Sequence, residues 1–293
     1  MNILAISDVH AKENSGLYDY LEKNDIDILT ISGDITNFGP LEFVEEFFDK
    51  LAKFNIMTIA IPGNCDPEGV VEKIDESDAV CLHNVVFQNG NIVIYGFGGS
   101  NPTPFNTPGE MDEETLYDSI KFVMDSKDID SIKELTDTFP HGKIPILLTH
   151  APPKDTEADK IEEGVHVGSE SVRRIIEEYK PRLNLCGHIH EAKSFDMIGD
   201  TVIVNPGMLE NGFGCLIELD DNNNVIANFV ELKWLGYIVL LVNFVELKWL
   251  GGIILLANFV ELKWLGVIVL LANFVELKWL GGIVLLANFV ELK

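Results

Sequence analysis

Short apolar runs that alternate with amphipathic stretches are the feature that most constrains the fold of this chain. The runs have the length of buried strands, and several are followed by stretches in which apolar residues recur at helical spacing. Strand-like runs lie at 3–6, 28–31, 56–61, 92–97, 144–148 and 183–186. Helix-like stretches lie at 41–54, 113–139 and 172–179. Strand–helix alternation first, with short strands and turns after about residue 190, predicts an α/β sandwich with a mixed sheet on each side of the core.

Three local signals refine this prediction. Asn89-Gly90 lies between two alternating apolar runs and is a strong signal for a hairpin turn. Ser169, three residues before Val172, predicts the start of the third helix. The polar run 221–224 predicts a turn between two of the later strands.

Polar motifs follow five of the predicted strands within a few residues. They are Asp8-Val9-His10, Gly33-Asp34, Gly63-Asn64, Thr149-His150 and Gly187-His188-Ile189-His190. Because ligands of open α/β sheets gather at the carboxyl ends of strands, we expect these segments to meet in one crevice. They offer three oxygen-donor side chains and four imidazoles, which suit two adjacent divalent metal ions. A shared carboxylate holds two such ions ~3.5–4 Å apart, a spacing suited to phosphoryl chemistry.

The order of these motifs, D-x-H, GD, GN, [TG]H and GHxH, resembles the calcineurin-like metallophosphoesterase superfamily over residues 1–233. One such dipeptide is uninformative, but five in order, each at a strand end, form a specific signature. The segments 33–39, 98–108 and 205–207 further resemble archaeal and bacterial Icc-like members, which are cyclic-nucleotide-phosphodiesterase-like. The resemblance implies a four-layer α-β-β-α sandwich with two mixed sheets.

The resemblance also implies a role for each motif residue. One metal ion would be held by Asp8, His10 and His190, and the other by Asn64, His150 and His188. Asp34 would bridge both ions. Mn²⁺ is the favoured ion, with Fe, Co, Ni or Zn as alternatives. A metal-bridging hydroxide would attack phosphorus in line, and Asn64 would position one side of the substrate.

One position departs from the family pattern. Many members read GNH[DE] where this chain has Gly63-Asn64-Cys65-Asp66, and their His is thought to protonate the leaving group or steady the phosphate. A thiol is mostly neutral at pH 7, so Cys65 places no positive charge there. The change favours phosphodiesters over monoesters. His166 either takes over the role of the missing acid or is a loop residue that orders Gly168-Ser169.

Several functions therefore stay open. The favoured substrate is a small phosphodiester, cyclic or otherwise a nucleotide, whose base could stack on Phe105 in the Pro-rich loop 98–110. The main alternative is a phosphomonoesterase, including a protein phosphatase. A binding module that keeps the fold without catalysis is the alternative from another class. A nuclease is the third alternative to the favoured phosphodiesterase.

The net charge limits the kinds of binding partner, and the cysteine spacing indicates the cellular compartment. The formal net charge is −26, and an acidic body repels polyanions, so nucleic acid is not an expected partner. The four cysteines are widely spaced, which favours reduced thiols and a cytoplasmic location. A homo-oligomer is compatible with the sequence.

From Trp234 the chain consists of four 15-residue repeats, 234–248, 249–263, 264–278 and 279–293. Each ends in Asn-Phe-Val-Glu-Leu-Lys, the same hexapeptide that ends the preceding segment at Lys233. We interpret residues 1–233 as the enzyme domain and the tail as a duplication of its C-terminal segment, with a repeat solenoid as the rival. The longest run without charge in this tail is 12 residues, short of the ~20 that a membrane-spanning helix needs.

Overall fold

A computed structural model describes residues 1–126, 142–220 and 224–232, and the backbone of four strands between residues 237 and 286. By its internal contacts the chain divides into two units, Met1–Lys233 and Trp234–Lys293. All five metal-ligand motifs lie in the first unit.

The described residues of the first unit form two mixed sheets of six strands each. In chain order the strands are β1 (Asn2–Ile6), β2 (Ile28–Ser32), β3 (Met57–Ile61), β4 (Val80–Cys81), β5 (Val85–Asn89), β6 (Ile92–Phe97), β7 (Ile144–Thr149), β8 (Leu183–Leu185), β9 (Ser194–Ile198), β10 (Thr201–Asn205), β11 (Phe213–Leu219) and β12 (Val225–Glu231).

Parallel strands form the centre of each sheet. The first sheet has the order β12-β11-β1-β2-β3-β4, in which β1 to β4 are parallel and β11 is antiparallel to both of its neighbours, β1 and β12. The second has the order β5-β6-β7-β8-β10-β9, with β6, β7, β8 and β10 parallel and an antiparallel strand at each edge. The carboxyl ends of the parallel strands in each sheet therefore lie along one edge, where ligands collect in α/β proteins.

Helices cover the outer face of each sheet. In chain order they are α1 (Ser15–Lys23), α2 (Leu41–Leu51), α3 (Val70–Asp75), α4 (Glu113–Met124) and α5 (Glu170–Tyr179). One hydrophobic cluster packs α1, α2 and α3 on the first sheet, a second lies between the sheets, and a third packs α4 and α5 on the second sheet. Three stacked cores give four layers, helix, sheet, sheet and helix. No helix among the described residues is long and apolar enough to cross a membrane.

The predicted elements agree with the structure to within a residue or two at most ends. The predicted hairpin between β5 and β6 is confirmed, but its turn is Gly90-Asn91, because Asn89 is the last residue of β5 and pairs with Ile92. Ser169 caps α5 as predicted. The helix predicted over 113–139 ends at Met124 with Asp125 as its C-cap, so it does not continue through 125–126 as predicted. Residues 127–141 and three residues of the turn at 221–224 lie outside the described residues. The short helices α1 and α3 were not predicted.

Four strands are described in the second unit. They are β13 (Tyr237–Phe244), β14 (Ile253–Leu256), β15 (Val267–Phe274) and β16 (Ile283–Leu286). β13 pairs with β15, and β14 with β16, both parallel. Tyr237 lies opposite Val267 and Ile253 opposite Ile283, so partners are separated by two repeat units and like segments stack in register.

Candidate metal centre

The residues of the five motifs lie at the carboxyl ends of five strands. Asp8 and His10 follow β1, Asp34 follows β2, Asn64 follows β3, His150 follows β7, and His188 and His190 follow β8. Asp8, His10, Asp34 and His188 have φ of 57°, 51°, 49° and 69°. Residues other than Gly rarely adopt this left-handed conformation, which concentrates at functional sites. Here it turns the chain sharply enough for side chains two residues apart, as in Asp8 and His10, to point into one site.

Two glycines allow these turns to approach one another closely. A Cβ on Gly63 would overlap the carboxylate of Asp34, and a Cβ on Gly187 would overlap the hydroxyl of Ser7. The Gly-Asn and Gly-His motifs thus require glycine because backbone passes directly beside a ligand or its neighbour.

The first cluster consists of Asp8, His10, Asp34 and His190, whose ligand atoms lie within 4.8 Å of one another. Nε2 of His10 is 2.9 Å from Nε2 of His190 and 3.8 Å from Oδ2 of Asp34. Nε2 of His190 is 3.5 Å from Oδ1 of Asp8, and the backbone N–H of His188 also donates to this carboxylate. Two imidazole nitrogens and two carboxylates that converge in this way fit a divalent transition metal.

The second cluster consists of Asp34, His150 and His188. Nδ1 of His150 lies 2.7 Å from the carbonyl oxygen of Ser32, which can only accept, so Nδ1 carries the proton. In the neutral ring Nε2 is then a lone-pair nitrogen, yet it faces Oδ1 of Asn64 at 2.8 Å and Oδ1 of Asp34 at 3.4 Å. A proton on Nε2 satisfies the two oxygens, and when Nε2 is unprotonated its lone pair and the two oxygens form a donor set that fits a divalent metal ion.

Burial sets the electrostatics of both clusters. Burial raises the pKa of Asp34, but His150 outweighs that effect and holds it well below the ordinary value. Burial likewise lowers the pKa of His150, but Asp34 outweighs it and raises the pKa to about 9. Burial and His150 together lower the pKa of His188 to about 4. Asp34 is therefore an anion at neutral pH, as a bridging ligand requires.

Asn64 is connected to residues that the sequence did not indicate. Its Nδ2 donates to Oγ1 of Thr107 at 2.8 Å, and Oγ1 of Thr107 is 2.7 Å from Oε1 of Glu110. Asp66 holds the neighbouring turns together, because its buried carboxylate accepts the backbone N–H groups of Ile35, Thr36 and Gly63. The sequence gives only weak signals for these residues. Thr107 and Glu110 are polar residues in a Pro-rich loop, and Asp66 is a polar residue two positions after Asn64.

Cys65 lies beside both clusters. Its backbone N–H donates to Oδ1 of Asp34 at 2.8 Å, and its sulfur lies 3.6 Å from Nδ2 of Asn64. Burial, together with the nearby carboxylates of Asp34, Asp66 and Asp8, raises the pKa of the thiol far above its ordinary value. The side chain at this position is therefore a neutral thiol and not a cation.

His166 pairs with Asp159 and not with the clusters. Its Nδ1 donates to Oδ1 of Asp159 at 2.7 Å, and this hydrogen bond raises the pKa of the ring. The same carboxylate accepts the backbone N–H of Gly168 at 2.9 Å. Among the described residues, the groups able to hold a metal do not include His166.

Two aromatic rings are exposed near the end of β3. Phe105 is 80% exposed on the loop 98–110, and Phe38 is 59% exposed on the segment after Asp34. The backbone N–H of Phe38 donates to the carbonyl oxygen of Cys65, which places this ring's segment beside the centre.

Known proteins resemble this chain over the first unit. The sequence model of the calcineurin-like phosphoesterase family matches residues 1–192 of this chain. The uncharacterized protein MJ1162 of Methanocaldococcus jannaschii is 37% identical over 213 residues, which are 70% of this chain and 88% of that protein. The crystal structure of TT1561 of Thermus thermophilus matches with a TM-score of 0.60 at 18% identity, over 79% of this chain and 99% of that one. A second crystal structure matches with a TM-score of 0.64 at 20% identity, over 78% and 98%. The two crystal structures share the fold.

Proposed function

The chain belongs to the calcineurin-like phosphoesterase family, and on that premise we propose that it is a phosphodiesterase that uses two divalent metal ions. The observation that carries the proposal is the placement of Asp34. Its carboxylate is 2% exposed, with Oδ2 directed to His10 in one cluster and Oδ1 to His150 in the other. A buried carboxylate that divides its two oxygens between two histidine clusters has the form of a bridging ligand.

The proposed ligands divide between the clusters. One ion would be held by Asp8, His10, Asp34 and His190, and the other by Asp34, Asn64, His150 and His188. Mn²⁺ is the favoured ion, because carboxylate and amide oxygens accompany the imidazoles. When bound, such ions supply positive charge that stabilises the phosphoryl transition state, and they lower the pKa of water.

The chain's own residues orient this centre. The backbone N–H of His188 donates to Asp8, and Ser32 accepts from Nδ1 of His150, so each holds a ligand in one orientation. Such partners behind the ligands typically contribute 10–100-fold to metal affinity or activity. The proposed enzyme domain is residues 1–233, with the repeats 234–293 as a duplicated tail.

The preference for diesters is supported by Cys65. A monoester dianion with a poor leaving group needs a proton donor or an added positive charge. A thiol with a strongly raised pKa is too weak an acid to protonate the leaving group, and it carries no positive charge. A diester carries one negative charge less, and an aryl or phosphoanhydride leaving group departs more readily. We keep His166 as the candidate proton donor, because Asp159 raises its pKa and its ring is partly exposed.

The substrate class is supported by the exposed ring of Phe105, on which a base or other planar group could stack. Within the family we place the chain with the Icc-like members, because of the segments 33–39 and 98–108. The free cysteines support a reducing, cytoplasmic compartment.

Metal content and substrate preference test the proposal together. We expect about two metal ions per chain by elemental analysis, and faster turnover of bis-p-nitrophenyl phosphate than of p-nitrophenyl phosphate in Mn²⁺. Asp34→Asn should lose both activities, whereas Asp118→Asn, on the exposed face of α4, should keep them. Two bound ions with a preference for the monoester would keep the metal centre and overturn the diesterase assignment. A metal-free, inactive protein would overturn both.

A further inference from the structure

The loop 98–110 is fastened to Asn64 at two points. The backbone N–H of Gly109 donates to the carbonyl oxygen of Asn64 at 2.9 Å. The side-chain Nδ2 of Asn64 donates to Oγ1 of Thr107 at 2.8 Å. The first bond fixes the backbone of Asn64, and the second reaches the amide itself.

The Glu110 carboxylate determines how Thr107 uses its hydroxyl. Oε1 of Glu110 accepts from the backbone N–H of Thr107 at 2.8 Å, from Oγ1 of Thr107 at 2.7 Å and from Oγ1 of Thr103 at 2.5 Å. A carboxylate at neutral pH has no proton to donate. The single hydroxyl proton of Thr107 is therefore directed to Glu110, and toward Asn64 the oxygen offers only a lone pair.

The direction of the Thr107 hydroxyl proton selects one of the two orientations of the Asn64 side-chain amide. The oxygen and nitrogen of an Asn amide are similar in size, so their positions are distinguished by hydrogen bonds. With a lone pair of Thr107 on one side, Nδ2 of Asn64 turns to Thr107 and Oδ1 turns to His150. The reverse orientation would face an N–H₂ group toward the cation and an amide oxygen toward a hydroxyl with no free proton.

We propose that Thr107 and Glu110 are positioning residues that hold the oxygen of Asn64 toward His150 and thereby set the metal affinity of the second cluster. This inference rests on the proposed function, since it takes Asn64 as a ligand. Neither residue faces the first cluster in the described contacts, so only one of the two ions should depend on them. Groups behind metal ligands typically contribute 10–100-fold to affinity.

Thr103 provides a matched control. It lies in the same loop and its hydroxyl donates to the same oxygen of Glu110, but its side chain does not bond to Asn64. Thr107→Val and Thr103→Val each remove one hydroxyl from Glu110. Only Thr107→Val removes the oxygen that accepts from Nδ2 of Asn64, which keeps only the longer contact of 3.6 Å to the sulfur of Cys65. A role limited to fastening the loop would affect the two variants alike.

The test is a calorimetric titration of Mn²⁺ into the chelator-stripped full chain, with the melting temperature of each metal-free variant measured alongside. We expect two binding events in the unmodified protein. Thr107→Val should weaken one of them by about 10–100-fold, Thr103→Val by less than about twofold, and Thr107→Ser should restore the affinity. Equal affinities for the two valine variants would overturn the positioning role and leave the metal centre intact. An unmodified chain that binds no Mn²⁺ would overturn the proposed function as well.

A second comparison applies even where Thr107→Val lowers the melting temperature. In the Asn64→Asp background both side-chain atoms at this position are oxygens, so there is no amide left to orient. Thr107→Val should then cost little or no Mn²⁺ affinity. A loss as large as in the unmodified background would show that Thr107 acts on the loop and not on the amide, against the proposal.

Discussion

The residue that most affects the choice of substrate is Cys65. Its backbone N–H donates to Asp34, and its sulfur lies 3.6 Å from Nδ2 of Asn64, so the side chain borders the proposed metal centre. Burial and nearby carboxylates raise the pKa of the thiol and keep it neutral. An imidazole in the same place would carry positive charge, favoured by the same carboxylates.

Cys65→His should therefore increase monoester hydrolysis relative to diester hydrolysis. An added general acid contributes typically 10²–10⁴-fold, so a rise of about 10²-fold in the ratio is expected. The ratio of kcat/KM for glycerol 2-phosphate, an alkyl monoester whose leaving group needs a proton, and for bis-p-nitrophenyl phosphate measures it. Cys65→Ser, which stays small and neutral, should leave the ratio near that of the unmodified protein. If Cys65→His leaves it unchanged too, the leaving-group proton comes from another residue, and His166→Gln becomes the next variant.

At the scale of elements, α4 and α5 are joined by a carboxylate cap. Glu113, in the first turn of α4, accepts the backbone N–H groups of Glu170 and Ser171 and the hydroxyl of Ser169 at the start of α5. The hydroxyl of Ser169 in turn caps its own helix by accepting the N–H of Val172 at 3.1 Å. An anion at a helix N-terminus interacts favourably with the free N–H groups and the helix dipole.

Glu113→Gln should destabilise the protein in a pH-dependent way. Burial raises the pKa of Glu113, but hydrogen bonds from Ser171, Ser169 and Glu170 outweigh it and lower the pKa below 4.5. The stabilisation is therefore present above the unfolded value and disappears as pH falls through the folded one. Loss of a cap costs about 1 kcal/mol, or about 2–4 °C in melting temperature for a domain of this size. Thermal melts at pH 7 and near pH 3 measure this difference.

Glu114 provides the control for this prediction. It lies in the same turn of α4 and is exposed. Glu114→Gln should change the melting temperature little at either pH. If Glu113→Gln lowers the melting temperature by the same amount at pH 7 and near pH 3, the charge of Glu113 does not contribute to stability. The prediction would then be wrong.

The elements also show where sequence patterns are informative. The apolar runs that became β2, β6 and β7 were predicted because buried parallel strands leave a continuous hydrophobic signature. The helix α3 was missed because its six residues span too few turns for a clear helical period, and α1 was not predicted either. Their positions depend on packing against the first sheet, which local patterns do not record.

For the whole molecule, convergence of the strand ends was predictable, but the loops that surround the site were not. Parallel strands of one sheet bring their carboxyl ends to one edge, so Asp8, Asp34 and Asn64, which follow β1, β2 and β3, could be expected to meet. His150 follows β7 of the second sheet, so its approach to them also depends on how the two sheets pack. The contact of Asn64 with Thr107 spans 43 positions and depends on the path of an irregular loop. The pairing of His166 with Asp159 was likewise invisible, because it forms inside a loop with no periodic pattern.

Removal of the repeat tail tests the division of the chain at Lys233. The first unit ends with β12, which pairs along its length with β11, and with Leu232, which is buried in the core beneath the first sheet. The tail strands pair in parallel register between like segments. The same pairing is available between molecules, and apolar strands with unpaired edges self-associate.

A chain that ends at Lys233 should therefore keep the kcat/KM of the full chain for bis-p-nitrophenyl phosphate and associate less, as measured by light scattering on a size-exclusion column. A chain that ends at Asp220 lacks β12 and Leu232, so it loses the pairing partner of β11 and part of the core and should not yield folded protein. If instead the chain ending at Lys233 is insoluble while the full chain is soluble and monodisperse, the repeats are part of the fold. The boundary would then lie beyond Lys233, and the solenoid interpretation would replace the duplication.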